Sequence, residues 1–383
     1  MMAQLKDVCN IQAGGTPSRS YVEYWKDGNI PWVKISDIKG KKLYITEEKI
    51  TELGLEKSSA KLFPKGTILY SIFATLGEVA ILDIDATTNQ AIAGLQLIDD
   101  SVLPDYLYYF LVSKKDFVNN MGRGVAQNNI NLKILRDMAI TIPSKKEQKD
   151  IILRLNTINQ SVEWRKQQLS KLDELVKARF VEMFGNVISN SKNWSQYRFG
   201  DITTSRLGKM LDSKQQTGKC SFPYLANFNV QWFRFELDKL NVMDFDEKDQ
   251  KEFELIDGDL LVCEGGEIGR CAVWHNEMQP CFFQKALHRV RCNKDIVLPD
   301  YMAYWFKYNC DHNGFSDIAG AKATIAHLPG AKLKKLIVTV PPLVLQHEFA
   351  TFVEQIDKSK FEVQQSLEKL ETLKKSLMQQ YFG

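Results

Sequence analysis

The sequence predicts an α+β fold in which two globular domains are separated by two long helices packed as an antiparallel coiled coil, with an internal pseudo-twofold repeat. Three observations carry this. Residues 140–185 align without a gap onto residues 338–383 at a constant offset of 198, with 13 identities in 46 pairs, where unrelated segments of ordinary composition share about three. Both segments hold a sustained heptad pattern with no Gly or Pro inside it. The rest of the chain carries short β-branched stretches divided by glycine turns. The order is globular, helical, globular, helical, over 1–143, 144–185, 186–341 and 342–383.

In the first globular segment Ile30-Pro31-Trp32-Val33, Thr67 to Phe73 and Val79 to Leu82 read as strands, with a turn at Lys65-Gly66. Pro104-Asp105-Tyr106 opens a helix, because proline's missing N–H costs nothing in a first turn. Pro143-Ser144 followed by Glu147 and Gln148 supplies an N-cap and an acidic first turn. The helix behind it runs in heptads through Leu155, Val162, Leu169, Val176 and Met183, beside Ile151, Ile158, Arg165, Leu172 and Arg179. Its other faces carry Lys166, Gln167, Gln168, Lys171 and Glu174, so the apolar seam suits one partner helix better than a surrounding core.

The second globular segment repeats this plan more loosely. Leu260 to Cys263 and Cys271 to Trp274 read as strands around Asp257-Gly258-Asp259, and Pro299-Asp300-Tyr301 is a second proline helix start. Gly66 to Leu69 answers Gly258 to Leu261, Leu76 to Ala80 answers Ile268 to Ala272, and Leu103 to Tyr106 answers Leu298 to Tyr301, at offsets of 192, 192 and 195. In the closing helix the columns are Val353, Lys360, Leu367, Lys374 and Phe349, Ile356, Val363, Leu370, Leu377. Helix pairing is assigned to Leu155, Ile158, Val162, Leu169 and Leu172 with Val353, Ile356, Val363, Leu367 and Leu370. Each rod is roughly 50–60 Å long at 1.5 Å per residue, and antiparallel packing would put the globular segments at opposite ends.

Composition bounds what such a chain does. Of 383 residues 44% are hydrophobic and 25% charged, with no apolar run near the ~20 residues of a membrane span. Met1 to Asn10 lacks the pattern of a secretory signal. The seven cysteines form no CxxC pair, so buried or partly buried free thiols in a reducing cytoplasm are expected. The histidines sit in no metal-ligand spacing. Net charge is +3, and the globular segments are close to neutral, with 16 basic and 16 acidic residues in the first and 20 and 19 in the second. Nucleic-acid affinity would have to come from local patches. There is no GxxxxGK[ST] loop and no Asn/Asp-Pro-Pro-Tyr/Phe motif. The expectation is a chain that catalyses nothing alone.

Gly14-Gly15-Thr16-Pro17-Ser18, then Gly28 to Val33, then Gly124 to Ile130, then Ile140 to Pro143 with Glu147-Gln148, is similar to the specificity subunits of type I restriction–modification systems. The four-part order over the whole chain resembles that subunit entire. The second domain departs from the pattern, with Ser205 to Lys209 in place of Gly-Gly-Thr-Pro and Ala321 to Ile325 where Gly124 to Ile130 stood.

The resemblance implies two target-recognition domains, each reading half of a split double-stranded DNA target, and helices that set the unread gap and dock two methyltransferase subunits. S-adenosylmethionine, ATP and Mg would belong to those and to the restriction/translocase subunits, with no cofactor or metal in this chain. Arg and Lys suit guanine edges or phosphates, and Asn and Gln suit adenine. Thr16, Ser18, Arg19, Lys34, Arg123, Gln127, Asn128 and Asn129 are the candidates in the first domain. Arg206, Lys209, Lys214, Lys322 and Thr324 are those of the second, and Lys332, Lys334 and Lys335 extend a basic stretch. The alternative is a dumbbell scaffold that binds proteins rather than DNA.

Overall fold

The structure, a computed structural model, describes residues 1–122, 129–212, 216–315 and 327–383. They form two units: Met1–Gln167 with Gln364–Gly383, and Gln168–Val363.

In the first unit β1 (Met2–Gln4) pairs with β10 (Ala139–Thr141). A five-stranded sheet takes β2 (Cys9–Ala13), β9 (Ile92–Leu97), β6 (Ile68–Ser71), β7 (Val79–Leu82) and β4 (Lys42–Leu43) in that order, and a second sheet is β5 (Glu48–Ile50), β3 (Ile30–Val33), β8 (Thr87–Thr88). Strands β6 and β7 read as unbroken apolar runs because both of their faces are covered. Alternate residues point to opposite sides: Ile68, Tyr70, Val79 and Ile81 pack with Tyr106, Leu107 and Phe110 of helix Pro104–Ser113, whereas Leu69, Ala80 and Leu82 pack with Val33 and Phe63.

The second unit repeats the topology. Strands β11 (Ser195–Arg198) and β21 (Ile337–Val340) pair. The main sheet is β12 (Thr203–Leu207), β20 (Leu287–Cys292), β17 (Leu260–Cys263), β18 (Cys271–Val273). The smaller one is β16 (Asn241–Asp244), β13 (Ser221–Leu225), β19 (Phe282–Phe283), and a short ribbon pairs β14 (Val230–Gln231) with β15 (Arg234–Phe235). Leu260 and Val262 face one core and Leu261 and Cys263 the other.

The long helices span Lys145–Phe184 and Leu343–Phe382. Ser144 and Glu147 cap the first reciprocally: the Glu147 carboxylate accepts from Ser144 N at 2.8 Å, and Glu147 N donates to Ser144 Oγ at 3.3 Å. Within the first unit its start packs with the end of the second helix, Ile151 and Leu155 sharing a core with Leu377, Met378 and Phe382. Within the second unit its end packs with the start of the other, Val176, Phe180 and Phe184 against Phe349, Val353 and Ile356. In each unit the two helices are therefore antiparallel. Of the seam residues Leu155, Ile158, Val162, Val353, Val363 and Leu367 are buried, and Leu169, Leu172, Ile356 and Leu370 are half-buried. Polar crossings flank the seam, Lys166 with Glu371 at 3.7 Å and Lys360 with Asp173 at 2.7 Å.

All seven cysteines are free. Cys220 is exposed, which the expectation of buried or partly buried thiols did not foresee; it lies at the turn before β13. Among the described residues no helix is long and apolar enough to cross a membrane.

Candidate nucleic-acid interface

The loop after β2 is held by main chain. Gly14 N donates to Ile92 O at 3.0 Å and Gly15 N to Thr88 O at 2.9 Å. A Cβ on Gly14 would stand 2.4 Å from Thr88 O, so only glycine allows the approach. Trp32 Nε1 donates to Gly15 O at 3.0 Å from below. This fixes Thr16, whose hydroxyl donates to Gln90 Oε1. Gln90 and Asn129 then line one cleft of about 300 Å³ with Phe73 and Asn131. Asn129 is held there by a bridge to Phe73, in a turn where Ala74 takes φ 61°, a backbone state that costs a non-glycine residue.

Arg19 and Lys34 form a second cluster. The Arg19 guanidinium lies 3.6 Å over the Trp25 ring and donates to Glu48 at 2.5 Å. Lys34 Nζ donates to Glu47 at 2.7 Å and Glu48 at 2.8 Å. Hydrogen bonds from Arg19 and Lys34 hold the Glu48 carboxyl below its usual range, and those to Glu47 and Glu48 push the Lys34 ammonium up. Ser18 is exposed and bonds Ser20 Oγ at 2.7 Å. Thr16 and Asn129 thus converge on Gln90, and Arg19 and Lys34 on Glu48.

The second unit builds the same loop. Gly208 N donates to Leu287 O at 3.0 Å and Lys209 N to Phe283 O at 3.2 Å. Lys209 Nζ donates to Asp244 O at 2.6 Å and pairs with the Asp249 carboxylate, and Arg206 pairs with Glu252. These groups line a cleft of about 730 Å³ with Met210 and Lys285. Asp244 accepts from Thr217 N and Oγ1, Gly218 N and Ser221 Oγ, which holds its carboxyl far below the usual range. Arg123, Gln127, Asn128, Lys214, Lys322 and Thr324 lie outside the described residues.

Several correspondences escaped the sequence. Trp32 and Val33 pair in parallel with Thr87 and Thr88, as Tyr224 and Leu225 do with Phe282 and Phe283, so Ile30–Val33 is repeated as Phe222–Leu225 with only the proline in common. Gly265 bridges His327 as Phe73 bridges Asn129, which places His327, rather than a residue of Ala321 to Ile325, opposite Asn129. Gln90 was also missed, since one exposed amide after a strand carries no signal in sequence.

The profile of the type I restriction modification DNA specificity domain matches residues 1–174 and again 191–374. The MjaIX specificity subunit of Methanocaldococcus jannaschii is 32% identical over 52% of the chain, a match that spans half of that protein. The EcoKI specificity subunit of Escherichia coli K12 is 22% identical across all of the chain and 88% of its own length. The type I S subunit of M. genitalium superimposes with a TM-score of 0.57 at 15% identity, covering 100% of this chain and 96% of that one. A chain from a type I R-M complex does so with 0.65 at 15% identity, covering 100% and 97%; both likenesses speak for the fold. With two domain copies filling most of its length, the chain belongs to the type I restriction–modification DNA specificity family.

Proposed function

We propose that the chain is the DNA sequence-specificity subunit of a type I restriction–modification complex. Each globular domain reads one half of a bipartite target, and the long helices set the unread gap and dock two adenine methyltransferase subunits. In this reading the chain performs no chemistry. S-adenosylmethionine serves the methyltransferase subunits, which flip the target base, and ATP and Mg serve the restriction subunits. One observation carries the proposal: the two units share the pair of backbone hydrogen bonds that anchors the loop after β2 and β12, yet differ in the side chains those loops present. A duplicated frame with divergent loops suits two half-sites of unlike sequence.

A second reading, a scaffold that binds proteins, is favoured by the pairing of Arg19, Lys34, Arg206 and Lys209 with carboxylates, which leaves less charge for phosphates. Base-resolution methylation mapping after co-expression with the methyltransferase encoded beside this chain separates the two. A split motif with modified adenine in each half supports the specificity subunit. A stable complex that methylates without a motif moves the scaffold to first place.

A further inference from the structure

The two units can be aligned residue by residue around their clefts, because main-chain hydrogen bonds give each position an address. Gly14 and Gly15 donate to Ile92 O and Thr88 O, as Gly208 and Lys209 donate to Leu287 O and Phe283 O. Ile72 N donates to Ala91 O at 2.8 Å, as Glu264 N does to Ala286 O at 3.0 Å. Thr16 therefore occupies the address of Met210, and Gln90 that of Lys285. The neighbours are kept too: the Thr16 hydroxyl donates to Gln90 Oε1, and Lys285 Nζ lies 3.9 Å from Met210 Sδ. The same two addresses, touching in both units, hold a hydroxyl with an amide in one and a thioether with an ammonium in the other.

Gln90 and Lys285 are both exposed, so no core selects their identity. Each lines a cleft that also holds residues nominated from the sequence: Asn129 beside Gln90, Arg206 and Lys209 beside Lys285. Arg206 and Lys209 are engaged by Glu252 and Asp249, whereas among the described residues no carboxylate is paired with Lys285. Among the described residues its ammonium meets only a weak acceptor, the Met210 thioether sulfur. The Gln90 amide is oriented, since its oxygen accepts from the Thr16 hydroxyl and keeps a second lone pair.

We infer that Gln90 and Lys285 are specificity-determining residues of the two domains, each reading a base edge in its own half-site. This rests on the DNA-reading function proposed above. The oriented Gln90 amide offers one donor and one acceptor, the pattern that matches N7 and N6 of adenine in the major groove. Lys285 offers donors alone and matches O6 and N7 of guanine. Thr16 is a positioning residue that fixes which way the amide faces.

The test is methylation mapping of the complex assembled with wild-type chain, with Gln90→Lys and with Lys285→Gln. Both positions are exposed, and unchanged melting curves confirm that each variant folds. The expected result is a wild-type split motif in which Q90K alters one position of one half-site and K285Q one position of the other. The preference for the original base should fall roughly 5- to 150-fold, the worth of one bidentate contact. Thr16→Val should relax the position that Q90K alters, without replacing its base. Two results overturn the inference while leaving the function standing: a wild-type motif that both variants reproduce letter for letter, or binding that weakens equally on all sequences with a salt slope lower by about 1, the mark of a phosphate contact. A wild-type complex with no split motif instead overturns the function, and the inference with it.

Discussion

Gln148 and Gln346 show how single residues tie each long helix to its domain. The Gln148 amide accepts from Leu103 N at 2.9 Å and donates to Ser101 O and Pro143 O, and Gln346 accepts from Leu298 N at 2.8 Å and donates to Ile296 O and Pro341 O. Both side chains are fully buried. Gln346→Ala strands three backbone groups, and the second unit should lose about 1–3 kcal/mol, read as a lower urea midpoint, with Gln148→Ala doing the same in the first. At Glu48 the prediction concerns pH. A carboxyl whose folded pKa lies below its unfolded value stabilises above the unfolded value, near 4.3, and loses that contribution as pH falls through the folded one. Acid titration followed by circular dichroism should show the first unit of wild type losing more stability below about pH 5 than that of Glu48→Gln. The latches were legible as identities in the repeat, because a buried amide with three partners tolerates no substitute. Gln90 and Lys285 were illegible for the opposite reason: exposed positions that differ between copies look like drift.

The long helices were legible because a 3.5-residue period has few competing explanations. Strand β9 was not singled out, and its physics explains why. Gly94 lies in the middle of it with the Phe63 ring 2.4 Å from where a Cβ would stand. A packing requirement therefore planted a turn-like residue in a strand. The parallel pairing of β3 with β8 joins residues far apart in sequence and leaves no local signature. The end of the second long helix offers the clearest element-scale prediction. Phe382 is buried against Tyr106 and Phe110, with ring centroids at 5.2 and 6.3 Å, and its carbonyl accepts from Lys114 Nζ. Phe382→Ala should cost about 3–5 kcal/mol. Hydrogen exchange should report the loss in the first unit, around helix Pro104–Ser113, while protection of β17 and β20 in the second is kept.

At the scale of the molecule the duplication is the organising fact. Two copies of one topology, each closed by the start of one long helix and the end of the other, account for the paired family match to residues 1–174 and 191–374. If the helices set the gap between half-sites, removing seven residues from the middle of both shortens each by about 10 Å, or roughly three base pairs. Methylation mapping of that variant should return the same half-sites at a changed separation. An altered half-site would mean that the helices shape the readers themselves. The division of the chain also sets the order in which its parts can be finished. Gln168–Val363 is one unbroken stretch, but the first unit is closed only by Gln364–Gly383. On a ribosome adding about 5–20 residues per second, Tyr106 and Phe110 wait roughly 14 to 55 seconds for Phe382 while the whole second domain is made. Of the two units, the one whose synthesis begins earlier is thus the one completed later.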